Sequence, residues 1–98
     1  MIYAVLFEDN DGKADVRGKH MGDHLAFLER NAANVRAAGP LKDTGSGAPA
    51  GGLWLVDAES AAAVRTLVET DPFWPTGLRK SVRVLEWTQV FTGGTGKA

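Results

Sequence analysis

Residues 2–8, IYAVLFE, alternate between two sets of side chains, Ile2, Ala4 and Leu6 against Tyr3, Val5 and Phe7, and both sets are apolar. A short β-branched and aromatic run of this kind predicts a strand with neither face designed for water. The same habit returns in GLWLVDA, residues 52–58, where Leu53 and Leu55 oppose Trp54 and Val56. SVRVLEWTQVF, residues 81–91, predicts a last, longer strand, with Arg83 and Glu86 marking a partly exposed course. One layer of helices covers only one face of a sheet, so the second apolar face predicts a second copy of the chain.

Helical spacing fills the intervals. Residues 19–38 place Met21, Leu25, Leu28, Ala32 and Val35 at alternating steps of four and three, an amphipathic helix with Gly22 a mild internal penalty. Gly39 then suits a left-handed cap and Pro40 a stop. A short strand is expected near LKDTG, residues 41–45, and GSGAPAGG, residues 45–52, reads as turn material. ESAAAVRTLVET, residues 59–70, predicts a second helix with Val64, Leu67 and Val68 on one side and Glu59 or Ser60 at its start. The order β-α-β-β-α-β predicts an α+β, ferredoxin-like fold: a four-stranded antiparallel sheet with two helices on one face. Two such units would assemble as a dimeric α/β-barrel-like homodimer through the uncovered face.

Ninety-eight residues make one domain, expected over residues 1–91, with 92–98 a frayed tail. Eleven Lys and Arg against twelve Asp and Glu leave a net charge of −1 with no run of either sign, so neither nucleic acid nor a membrane surface is an expected partner. The absence of cysteine removes disulfides, thiolate metal sites and cysteine nucleophiles and fits a reducing cytoplasm. The apolar N-terminal run meets Glu8, Asp9 and Asp11 and has no basic start, so it is expected to be a strand, not a signal or a membrane span.

The candidate chemistry is sparse. His20 and His24 stand four apart on the first predicted helix, a spacing usable for a metal, but a site needs a third ligand and Met21 occupies the place of a zincin Glu. No metal and no cofactor is expected. His20 reads as a solvated residue near a helix start, whereas His24 adjoins Leu25 and shares a side with Phe27 and Leu28, at the margin of the buried face. There an imidazole can serve as general acid or base. Asp71, in ETDPFWPTGLR, precedes Pro72, which explains why a helix ends but not why an acid stands at the unfavourable end of its dipole. Antiparallel packing of the two helices would bring Asp71 to His24, where a carboxylate fixes the imidazole tautomer and favours the imidazolium. Phe73, Trp74 and Trp54 supply candidate apolar walls for a substrate, and Arg79 a cationic donor.

The order and spacing of MIYAVLFED, HMGDHLAFL, AGPL, GGLWLVDA, DPF followed by GL, and VRVLEWTQVF resemble a YCII-related (YciI-like) protein from residue 1 to about 91. The resemblance implies a dimeric ferredoxin-like fold and an active site made of a first-helix His and the Asp of a DP-[FY] motif, which match His24 and Asp71. The branch of that family linked to chloride elimination from chlorinated hydroxylated aromatics implies that such a dyad supports lyase chemistry, without naming this chain's substrate. The reading is a small cofactor-independent enzyme acting by acid/base chemistry, of lyase, dehydrohalogenase or isomerase type, on a small organic molecule. The alternative is a non-catalytic dimeric ligand-binding or interaction module in which the pair is structural.

Overall fold

A computed structural model describes residues 1–94; the last part of the expected tail, residues 95–98, lies outside the described residues. The elements run β1 (Ile2–Asp9), α1 (Ala14–Arg30), β2 (Val35–Lys42), β3 (Pro49–Asp57), α2 (Ala61–Thr70), a 3-10 turn (Trp74–Thr76) and β4 (Arg79–Trp87). The sheet is antiparallel throughout in the order β2-β3-β1-β4, the expected ferredoxin-like arrangement. No helix among the described residues is long and apolar enough to cross a membrane.

The alternation of β1 and β3 sorts their side chains as the pattern predicts. Tyr3, Val5, Phe7, Trp54 and Val56 are buried beneath the helices together with Phe27 of α1 and Val64 and Val68 of α2. Val5, Val56, Val64 and Val68 are fully buried, and each such side chain contributes roughly 1.5–3 kcal/mol. Cross-strand register puts Ala4 beside Leu55 and Leu85, and Ile2 beside Trp87, on the opposite face. Leu85 and Trp87 there stay 37% and 43% exposed, so the second apolar face is real and open in the single chain.

Several expectations shift. The first helix begins at Ala14, before the expected start at residue 19, and ends at Arg30. Asn31 closes it: its Nδ2 donates to the Phe27 carbonyl, and the Val35 N–H donates to the Asn31 carbonyl, turning the chain into β2. Asn34 Nδ2 donates to the Asp57 carbonyl and pins that corner to β3. Val35 is therefore the first strand residue, buried opposite Val56, and does not belong to a helical stripe. Gly39 and Pro40 are not a helix stop; they pair with Leu53 and Gly52 within β2. Proline is tolerated there because β2 is an edge strand. Part of the expected turn, Pro49–Gly52, belongs to β3, and β4 starts two residues earlier and stops at Trp87. The second helix is as expected, with Ser60 Oγ accepting from the Ala63 N–H as its N-cap.

Candidate active site

Asp71 is the C-cap of α2, extended at φ −61° and ψ 135°, as the following proline requires. That turn points its carboxylate back under the domain, where only 1% of the residue is exposed. Oδ1 accepts from the Phe73 N–H at 3.2 Å and lies 2.9 Å from His24 Nδ1, beyond the middle of α1. Oδ2 lies 2.7 Å from Arg79 Nη2, close enough for an ion pair but off the line of a hydrogen bond. Burial opposes the charged carboxylate, but the His24 hydrogen bond, the charge of Arg79 and the Phe73 N–H outweigh it and hold Asp71 below the usual carboxylate range. Burial likewise lowers the Arg79 pKa, against the pull of Asp71. Arginine remains a cation at neutral pH nonetheless.

His24 is 8% exposed and packs against Phe73, ring centroids 4.4 Å apart, with Trp54 at 6.2 Å. Its Nδ1 faces an ionised acceptor, which favours the tautomer that carries its proton on Nδ1 and its lone pair on Nε2. Nε2 makes no hydrogen bond among the described residues and is not sealed off, and His24 lines a cavity. This cavity holds about 480 Å³ between α1, β2 and the sheet, within the usual size range of small-molecule sites. Phe7, Trp54 and Phe73 form its inner wall, and Met21, Leu25 and Leu28 its helix side. The stripe read as the buried face of α1 thus flanks a cavity, which is why Leu25 stays 55% exposed while His24 and Phe27 are the buried residues.

Arg79 enters the cavity through an irregularity in β4. Glu8 pairs with Ser81 and Asp9 with Arg79, so Lys80 is an extra residue, a bulge. Simple alternation from Val84 and Val82 would have sent Lys80 to the helix side and Arg79 to the open face. The bulge reverses this, and the Arg79 side chain is 7% exposed, its guanidinium 4.0 Å from the Phe7 ring centroid and 5.3 Å from that of Trp54. Arg17 forms an ion pair with Asp9, and both residues also line an adjoining hollow of about 660 Å³. Among the described residues no three His, Asp or Glu side chains gather as a metal site.

The chain matches the YCII-related domain over residues 1–88. It belongs to the YCII-related family. Among solved structures, this YCII-related chain is 32% identical to 5-chloro-2-hydroxyhydroquinone dehydrochlorinase (TftG) from Burkholderia phenoliruptrix AC1100, seen in complex with 2,5-dihydroxybenzoquinone. The likeness covers 90% of this chain and 94% of that one at a TM-score of 0.79. A protein of Arabidopsis thaliana, At3g17210, is 16% identical over 94% of this chain and 97% of that one, with a TM-score of 0.50, and shows the fold alone. No curated protein matches.

Of the residues the sequence proposes for the site of this YCII-related chain, His24, Phe73, Trp54 and Arg79 line one cavity, and Asp71 lies buried outside its lining against His24 and Arg79. Trp74 is not among them: it opens the 3-10 turn, 38% exposed, and does not line the cavity. The turn that buries Phe73 rotates its neighbour outward. His20 also stands outside the lining. Sequence reading missed Phe7, Asp9 and Arg17. The strand parity that groups Phe7 with Tyr3 and Val5 was the available signal for the first. Arg17 was hidden because it lies before the expected start of the first helix.

Proposed function

We propose that this YCII-related chain is a small-molecule enzyme in which His24 takes and returns a proton through Nε2, held in that tautomer by Asp71. The observation that carries the reading is the buried pair, Nδ1 to Oδ1 at 2.9 Å, whose imidazole lines a mostly apolar cavity of ligand size. Abstraction of a proton by the imidazole, with the carboxylate stabilising the resulting imidazolium, suffices for elimination of a leaving group or for moving a double bond. The reaction is therefore of lyase, dehydrohalogenase or isomerase type, without a cofactor. Phe73, Trp54 and Arg79 bind a small oxygenated organic substrate. The dehydrochlorinase activity of a protein 32% identical over most of both chains supports this class and makes 2,5-dihydroxybenzoquinone the first probe.

The working form is a homodimer closed over the open sheet face, and the absence of cysteine fits the cytoplasm. Screening chlorinated and unchlorinated hydroxyquinols for chloride release and for spectral change tests the reading. His24→Ala should stay folded and lose turnover by on the order of 10²–10⁴, with Asp71→Asn losing a large part of it. Full turnover in His24→Ala contradicts the proposal. If the pair serves packing alone, both variants lower Tm and leave ligand-dependent chemistry as in the wild type.

A further inference from the structure

Neighbouring glycines in β3, Gly51 and Gly52, differ in why they are glycine. Gly51 stands at φ +91°, and a Cβ there would press onto the Phe7 carbonyl oxygen, so its backbone forbids a side chain. Gly52 has no such constraint. Its φ lies outside the left-handed region, and a Cβ there would make only ordinary contact, 3.4 Å from the Gly39 carbonyl oxygen and 3.8 Å from the Phe7 ring. Register sets Gly52 between Phe7 and Pro40 and on the same course as Trp54, so a larger side chain would point between the sheet and α1. Glycine inside a strand weakens it, and where the backbone does not require it, it marks a place that a ligand approaches closely. Across the cavity Met21, Leu25 and Leu28 present apolar surface, with Leu25 55% exposed, that a larger side chain at Gly52 would help to cover.

The space so left is larger than one ring needs. A cavity of about 150 Å³ suffices to hold benzene, and this one holds about 480 Å³. Its inner end is aromatic, with Phe7, Trp54 and Phe73 beside His24, which is 8% exposed and has no hydrogen-bond partner on Nε2 among the described residues. The remainder is bounded by Gly52, Ala38 and Pro40 on the sheet and by the aliphatic side chains of α1. A single ring fills only the aromatic end. We propose that Gly52 is a specificity-determining residue of this cavity and that its ligand is larger than one ring: two fused rings, or a ring with a flat apolar arm, the second part lying on the Gly52 backbone beneath α1. The missing side chain leaves the height for a flat group between strand and helix. This specifies the shape of the ligand for the function proposed above; it rests on the cavity being that site, but not on His24 moving a proton.

Binding measured without turnover separates the two claims. 2-Naphthoate and benzoate share a carboxylate and differ by one ring, and calorimetry reads the affinity of each. The wild type should bind 2-naphthoate more tightly by on the order of tenfold or more. Gly52→Val should lose naphthoate affinity by on the order of tenfold to a hundredfold and keep benzoate affinity within about threefold, with Gly52→Ala shifting the same way by less. Ala38→Leu narrows the same space from the exposed edge strand β2 and should repeat the effect, which keeps the test decisive if Gly52→Val fails to fold by circular dichroism. His24→Gln should keep the naphthoate preference even where it abolishes turnover, so a failure of proton transfer and a failure of this assignment are told apart. Equal affinity of the wild type for the two probes, naphthoate affinity unchanged in folded Gly52→Val or in Ala38→Leu, or an equal loss of both probes in these variants, overturns the assignment.

Discussion

Asp71 shows how one residue can carry both local and long-range duties. Its place before Pro72 ends α2, and the same extended backbone turns its carboxylate toward His24 and Arg79. Asp71 and its pairing with His24 were legible in the sequence because an acid at a helix C-terminus has no local reason to be there. The Arg79 contact was not, because it depends on a one-residue bulge that strand alternation does not reveal. The folded state depresses the Asp71 pKa, so the stability Asp71 contributes is complete above the ordinary carboxylate range and disappears as pH falls through and below about 4. Asp43 is also depressed, by the backbone N–H groups of Ser46 and Gly45, and adds to the same acid loss. Asp71→Asn breaks a buried charge pair and should lower stability by about 3–5 kcal/mol at neutral pH. The gap to wild type should narrow toward pH 3. Urea midpoints across that range check both statements, and a constant gap contradicts them.

At the level of elements, β1, β3, β4 and α2 were readable because strand parity and a capped apolar stripe speak through nearest neighbours. The first helix was misplaced for a physical reason. A helix bordering a cavity exposes apolar residues at the rim and buries a histidine, so its hydrophobic period does not mark its packed side. Asn31 and Asn34, not Gly39 and Pro40, end it through side-chain bonds to Phe27 and Asp57. Two glycines separate propensity from packing. Gly22, exposed within α1 with open space where a Cβ would stand, should accept alanine with a gain of about 0.5–1 kcal/mol. Gly51 of β3 has φ +91°, and a Cβ there would press onto the Phe7 carbonyl oxygen. Gly51→Ala should cost roughly 1–3 kcal/mol or more and disturb the cavity wall. Thermal unfolding of the two variants should move in opposite directions, and equal shifts would contradict the local account.

The whole molecule is a sheet with helices and a cavity on one face and apolar side chains bare on the other. Leu53, Leu55, Leu85 and Trp87 lie on that second face, the surface that the proposed homodimer would bury. Sedimentation at micromolar concentration should give a dimer mass, and Leu85→Glu should shift it toward monomer; a wild-type monomer contradicts the dimer. The family and the fold were legible because the order and spacing of short segments survive where exact element boundaries do not. The cavity itself was not legible, since it is made where β2, α1 and β1 meet across long sequence separations. What this architecture is proposed to do is move one proton between His24 Nε2 and a bound organic ring. Exchange of the ring hydrogens of 2,5-dihydroxybenzoquinone in deuterium oxide, followed by proton NMR, reads that step without any assumption about a leaving group. Wild-type protein should accelerate the exchange and His24→Gln should reduce it to the uncatalysed rate, whereas acceleration that persists in His24→Gln contradicts the assignment of His24 as the proton-transferring residue.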